Sequence, residues 1–270
     1  MKYAILNRGD ELSLELTERF HYLAAEQQLI HHDESPDIVV SIGGDGTMLQ
    51  AFHRYIDQLN STAFVGIHTG HLGFYADWKA DEIELLVQLM GNHHQAETLQ
   101  PRIVKYPLID LIVTTHHQET TRYTALNEFT LKGIDGTLVA QIDINDQLFE
   151  MFRGDGICVS TPSGSTAYNK SLGGAMVHPS IASIQLAEIA SINNRVFRTL
   201  GSSLVLPKHH HFDIFSRKEQ RLLLTIDHLN STLDNLSSIR CQVSDQTVTF
   251  VRYRPFPFWN RVREAFLGYE

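Results

Sequence analysis

The sequence predicts two kinds of domain in succession: α/β structure built on a parallel sheet, then mainly-β structure. Three observations carry this. Up to Gly91, apolar strand patterns alternate with helical spacing, as in βαβ units. From about Arg102 strand follows strand, with turn chemistry between them. The almost wholly apolar run Ile38, Val39, Val40 and Ile42 ends in a glycine-rich turn, and in parallel sheets such strand ends are where ligands bind. The domains are expected to be residues 1–100 and 101–253, with the tail 254–270 packing back on the first.

Residues 3–6 form a first buried strand. Residues 11–30 read as a helix with Leu12, Leu16, Phe20, Leu23 and Ala24 on one stripe. After the strand at residues 38–42, helical spacing resumes from Thr47 to Leu59 through Met48, Phe52, Tyr55 and Ile56. A third strand covers residues 63–67, and a loop rich in glycine and aromatics follows at residues 69–78. Ile83, Leu86, Val87 and Met90 mark another helix. Both Gly43–Thr47 and Thr69–Tyr75 fall at the carboxyl ends of strands, on one rim.

In the second part, strands are expected at residues 104–114, 123–131, 139–144, 212–215, 222–226, 242–243 and 248–253. The turns are His116 to Glu119, Ile134-Asp135-Gly136 and Asn145-Asp146. Two helical stretches are expected near residues 166–171 and 183–191. Pro255 and Pro257 then break the last strand. Phe258, Trp259, Val262, Phe266 and Leu267 share one helical face, and that much aromatic area calls for a surface to dock on.

The bulk numbers set limits. A chain of 270 residues with 43% hydrophobic and 20% charged residues has a globular composition. A formal charge of −9 argues against nonspecific nucleic-acid binding, which needs a basic face. A phosphate ligand would therefore be held locally, by backbone amides and a few placed cations. No apolar run approaches the ~18 residues of a membrane span, and Met1-Lys2 leads straight into a strand. Cys158 and Cys241 stand far apart, so a reduced, cytoplasmic setting is expected. The fifteen histidines fall as pairs (His31-His32, His93-His94, His116-His117) and one triplet, His209 to His211. None has helical i, i+4 spacing beside a carboxylate, so solvated loop residues are expected and no protein metal site.

Gly43-Gly44-Asp45-Gly46-Thr47 joins a strand to a helix and suits a phosphate: glycines let the backbone approach, and N–H groups at the helix start face an anion. It lacks the loop lysine of Gly-x-x-x-x-Gly-Lys-Ser/Thr and is not Gly-x-Gly-x-x-Gly. Asp45 would repel phosphate if passive. It makes sense as a base taking the proton of a hydroxyl that attacks phosphorus, or else simply as the helix N-cap.

A second functional stretch opens at Arg153-Gly154-Asp155-Gly156, which repeats the Gly-Asp-Gly, and continues from Ser160 through Gly174. Its hydroxyls, glycines and Tyr168 suit a ligand with riboses, phosphate and an aromatic base. Asn127-Glu128 interrupts an apolar strand, and one of the two should point inward to a polar partner.

Together, the Gly-Gly-Asp-Gly-Thr loop, Asn127-Glu128, and Asp155-Gly-Ile-Cys-Val-Ser-Thr-Pro-Ser-Gly-Ser-Thr-Ala-Tyr168 resemble the NAD kinase family in order and spacing, over nearly the whole chain. The first block is shared with diacylglycerol and sphingosine kinases; the third is the specific one. The resemblance implies a Rossmann-like N-terminal domain, a β-sandwich-like second domain and a site between them. It implies transfer of the ATP γ-phosphate to the 2′-hydroxyl of the adenosine ribose of NAD, giving NADP, with a divalent cation such as Mg bound mainly through ATP phosphates.

By the same resemblance Asp45 is the proton acceptor, and Gly43, Gly44, Gly46 and Thr47 meet the ATP phosphates. The NAD contacts fall on Gly46, Asn127, Glu128, Arg153, Asp155, Ser163, Thr166, Ala167, Tyr168, Asn169, Lys170 and Ser171, with Phe74, Tyr75, Ala190 and His228 in weaker motifs. Where this chain has Asn169-Lys170, much of the family carries small or apolar residues. A homo-oligomer, often a tetramer, is implied, with some NAD contacts crossing a subunit interface. A lipid or sphingoid kinase on the same plan is the alternative enzyme, and a noncatalytic NAD(P) sensor the alternative from another class. The first lacks a membrane-facing stretch, and an intact Asp45 weighs against the second.

Overall fold

The computed structural model of the protein describes residues 1–70, 73–91 and 101–268. His71 and Leu72 of the aromatic loop, His93-His94 and residue 100 lie outside the described residues. The chain divides into two compact units, Met1–Lys105 with Thr247–Glu270, and Tyr106–Gln246.

In the first unit β1 (Lys2–Asn7), α1 (Glu11–Glu26), β2 (Ile30–His31), β3 (Ile38–Gly43), α2 (Asp45–Arg54), β4 (Ala63–His68), β5 (Trp78–Lys79) and α3 (Ile83–Gly91) follow in order. The strand order is β2-β1-β3-β4 with β5 beside β4, and every pairing is parallel. All six residues of β3 are buried, which is why its sequence is apolar but for Ser41. Phe20, Val40, Ile42, Ile67 and Trp78 share one core.

Two expectations change here. Helix α1 stops at Glu26 because Gln28 turns to φ 56, and Ile30–His31 joins the sheet instead. Leu12 is 40% exposed, whereas Ser13 is buried, since its hydroxyl is tied to the backbone of Gly9 and Asp10. Beyond α2, residues 56–58 form only a 3₁₀ turn.

The second unit takes up β6 (Arg102–Thr115), which begins in the first, then β7 (Thr120–Ala125), β8 (Glu128–Gly133), β9 (Leu138–Ile144), β10 (Gln147–Gly154), β11 (Gly156–Ser160), α4 (Tyr168–Ser171), β12 (Ser183–Ile189), β13 (Leu204–Pro207), β14 (His211–Ser216), β15 (Leu222–Ile226), β16 (Leu229–Leu233) and most of β17 (Leu236–Arg252). Two antiparallel sheets result, ordered β10-β9-β14-β17 and β13-β12-β11-β8-β15-β16. Phe129, Leu131 and Ile157 of one share a core with Phe152, Phe212 and Ile214 of the other, as in a sandwich. Asn145 and Asp146 both have positive φ, the two-residue hairpin turn their sequence favours.

Three expectations are corrected. Residues 123–131 are two strands, broken at Leu126-Asn127. Residues 183–189 are strand rather than helix: Gln, Leu, Ala and Glu favour helix, but pairing on both sides overrides propensity. Gln242-Val243 and residues 248–252 belong to one strand of 17 residues, which ends one residue short of Tyr253. The end of β17 returns to the first unit, where Thr249 and Phe250 pair in parallel with Ala63 and Phe64.

The last helix, α5 (Phe258–Phe266), buries only Phe258, whose ring lies 6.1 Å from Phe74; Phe266 stacks on Phe74 at 5.7 Å. Trp259 and Leu267 are exposed, so the apolar face is narrower than the sequence suggested. Each sits one residue, about 100°, off the Phe258–Val262–Phe266 stripe.

Candidate functional site

In the first unit the chemistry gathers at Asp45. Gly44, not Asp45, is the N-cap of α2, and Asp45 is the first helical residue. Its carboxylate leaves its own helix and accepts the N–H of Phe74 (3.1 and 2.9 Å) and of Tyr75 (3.1 Å). The N-cap alternative is therefore excluded. A Cβ on Gly73 would run into this carboxylate, so the close approach needs glycine there. Burial pushes the Asp45 carboxyl up, while the two N–H groups and the charges of Arg261 and Arg252 pull it down. Gly43, Gly44, Gly46 and Thr47 lie at the start of α2, whose first N–H groups have no partner within the helix.

In the second unit the strand break presents Asn127, which is buried, and Glu128, half-buried. Asp227, in the β15–β16 turn at φ 52, accepts the N–H groups of Leu126 (2.9 Å), Asn127 (2.7 Å) and Glu128 (3.3 Å). From the other side, Thr161 and Ser163 donate to the Leu126 carbonyl, and a Cβ on Gly164 would strike the Asn127 backbone. The elbow is thus clamped by two segments, the Asp227 turn and residues 161–164. Burial first, then the nearby Asp227 charge, lifts the Glu128 carboxyl to about 8, against one N–H from Tyr168. Its Oε2 is buried without a hydrogen-bond partner.

Ser163 and Thr166 sit in a buried 3₁₀ turn that runs through Ala167 into Tyr168, Asn169, Lys170 and Ser171 of α4. The Tyr168 hydroxyl accepts from Lys132 at 3.1 Å. Asn169 is fully buried, its amide facing the carbonyls of Ser165 and Ala175 at 3.5 Å, so it fastens the loop from within. His228 is exposed next to Asp227. Asn127, Glu128 and Ser163 meet at the Ser160 end of β11, and the Tyr168 side chain reaches Lys132, which pairs with Gly156 at the other end. Arg153, Asp155 and Ala190 gather at the Gly156 end of this five-residue strand, which is about 16 Å long. There the Asp155 N–H donates to the Ile189 carbonyl, the Arg153 carbonyl accepts from the Ile192 N–H, and Ala190 holds φ 46. The Arg153 guanidinium lies 4.6 Å from the Phe197 ring.

Three groups escaped the sequence reading: Asp227, Arg252 and Arg261. Asp227-His228 looks like an ordinary hairpin turn. The arginines sit in segments read for their apolar pattern. A usable signal was Arg261 placed one turn after Phe258, on the edge of a face expected to dock.

The sequence profile of the ATP-NAD kinase C-terminal domain matches residues 126–253, and that of the N-terminal domain residues 15–94. The chain is 54% identical over 271 residues to NAD kinase 1 of Bacillus subtilis (strain 168), covering 99% of each. It is 51% identical over 269 residues to NAD kinase 1 of Halalkalibacterium halodurans, again 99% of each. Among solved structures it resembles yeast NADH kinase complexed with NADH (TM-score 0.80, 19% identity, 100% of this chain and 88% of that one). It also resembles an NAD kinase from Archaeoglobus fulgidus in complex with ATP (TM-score 0.75, 19% identity, 99% and 98%). At that identity the structural likeness speaks to the fold, a Rossmann-like α/β part and a β-sandwich-like part.

Proposed function

The chain belongs to the NAD kinase family and makes NADP from NAD, and we propose that Asp45 accepts the proton of the adenosine ribose 2′-hydroxyl as the ATP γ-phosphate is transferred to it. The observation that carries the assignment is the Asp45 carboxylate turned out of its own helix and held by the N–H groups of Phe74 and Tyr75 beside two arginines. Those contacts fix its direction and favour the ionised form, which a base needs. NAD is bound by the clamped elbow Asn127-Glu128, by Ser163 and by Thr166 to Ser171. Phosphates meet Gly43 to Thr47 at the start of α2, the arrangement helix N-termini offer anions.

The family's chemistry implies a divalent cation, which would neutralise phosphate charge. Among the described residues, those around the loop do not make a cage for one. Both Asp45 oxygens already take backbone N–H groups. Among the described residues the one His/carboxylate cluster, Asp146, His211 and Asp213, lies in the second unit, with Arg240 hydrogen-bonded to both acids. An ion such as Mg would be carried by the nucleotide phosphates.

The family resemblance supports a homo-oligomer, in which a second copy would bring its Arg153, Asp155 and Ala190 to the NAD held near Asn127. The two buried free thiols, Cys158 and Cys241, suit a reducing, cytoplasmic setting. No described helix is long and apolar enough to cross a membrane. ATP-dependent NADP formation by the purified protein tests the reading. Transfer to a sphingoid base or diacylglycerol, or NAD binding with no turnover, would overturn it.

A further inference from the structure

The segment that holds Asp45 is itself held from the chain's C-terminal end. Arg261 of α5 donates from Nη1 to the carbonyls of Gly73 (2.9 Å) and Ala76 (2.8 Å). Arg252 at the end of β17 donates to the Tyr75 carbonyl at 3.0 Å. The carbonyls of residues 73, 75 and 76 thus face two guanidinium groups, while the N–H groups of residues 74 and 75 face Asp45. Both arginines also lie against the Phe256 ring, 4.2 Å for Arg252 and 4.8 Å for Arg261. Asp77 pairs with both, at 2.5 Å and 3.6 Å, with its side chain 1% exposed. Two acids and two arginines therefore gather here, Asp77 and Arg252 buried and Asp45 and Arg261 half-buried, with Glu264 acting on Arg261 from the next turn of α5.

A structural explanation is available for Arg252 and Asp77: a buried ion pair whose removal leaves an unpaired charge. Arg261 is different. Its guanidinium spends its hydrogen bonds on the backbone segment whose N–H groups aim the Asp45 carboxylate, and it stands on the last helix, whose own core contact is Phe258. Resting on the reading of Asp45 as the proton acceptor, we propose that Arg261 is a positioning residue for the reaction, fixing the Gly73–Ala76 segment and thereby the direction and charge state of the Asp45 carboxylate.

Three variants test this: Arg261→Met, Arg261→Lys, and Arg261→Met combined with Asp45→Asn. The protein is assayed for kcat, KM for NAD and ATP, and the acid limb of the kcat–pH profile. Arg261→Met is expected to lose ~10- to 100-fold in kcat, the scale of a catalytic group displaced by about an ångström, with KM values within a few-fold. Its acid limb moves to higher pH, because Asp45 loses a neighbouring positive charge while burial still favours its protonated form. Arg261→Lys restores the charge but not the fork that reaches two carbonyls, so the limb returns while kcat recovers only in part. In the Asp45→Asn background Arg261→Met costs almost nothing further, since there is no carboxylate left to aim.

An equal loss from Arg261→Met in both backgrounds would overturn the positioning role, as would an unmoved acid limb at reduced kcat. Should Arg261→Met fail to fold, Arg261→Lys alone decides, and full kcat in it sinks the proposal. Failure of the underlying reading is distinguishable: it appears as near-normal turnover in Asp45→Asn alone.

Discussion

Asp45 and Glu128 are carboxylates set into protein, one in each unit, and their neighbours treat them in opposite ways. Burial raises both. Around Asp45 two backbone N–H groups and two arginines work against that rise. Around Glu128 the charge of another carboxylate, Asp227, adds to burial and only one N–H resists, so its carboxyl is pushed up to about 8. The contacts of the first environment pull towards the ionised form that a base needs, although burial still holds the carboxyl above its ordinary value. The second suits a carboxylic acid that is neutral at pH 7 and can donate a hydrogen bond to a ligand oxygen. Burial alone does not separate the two roles; the sign of the charge next to each does.

Cutting the chain at residue 254 attacks the first environment only. It removes Phe258 and Arg261 together. Large-to-small changes at buried aromatics cost ~3–5 kcal/mol, so the truncated protein should melt several degrees lower. Its Glu128 titration should persist. A melting temperature within a degree of the full chain would mean that the tail contributes no stability.

Glu128→Gln sharpens the comparison from the other side. A carboxyl raised from its ordinary value near 4.5 to about 8 binds a proton in the folded state that the unfolded state has lost. Stability should therefore fall as pH rises from about 4.5 towards 8, and Glu128→Gln should flatten that slope. Melting curves across this range check it, and an equally steep slope in the variant would mean that another group titrates.

The smallest expected effect lies away from both acids. Arg153→Ala should weaken NAD binding ~10-fold, the worth of a charge-assisted hydrogen bond, and leave ATP binding unchanged. Equal losses for both nucleotides, measured by calorimetry, would point to collapse of the segment around Ala190 instead.

Much of this was legible in advance, for identifiable reasons. β3 and the glycine turn after it read correctly because a strand buried on both faces leaves no ambiguity in its pattern. Asn127-Glu128 was legible as an interruption, since two polar residues in an apolar run need a local cause. Their clamp was not. Asp227 lies 100 residues from Asn127, and only the pairing of β15 with β8 brings its turn to the elbow. The strand at 183–189 was misread because its composition favours helix, and partners on both sides, invisible in a single sequence, decide otherwise. Arg261 was hidden for a related reason: a helical face was read for what it buries, not for the carbonyls its edge could reach.

The central claim is that Asp45 works as a base and not as a fixture of the loop. Asn has nearly the same shape and can keep the hydrogen bonds from Phe74 and Tyr75, but it cannot take the proton. A positioned base typically contributes ~10²–10⁴-fold, so Asp45→Asn should lose kcat by that factor. Calorimetry on the same preparation should find NAD and ATP bound as tightly as before or more tightly, because a negative charge has left a site for phosphates. Turnover within a few-fold of the parent would contradict the account, and lost binding would make Asp45 an organiser of the loop rather than its base.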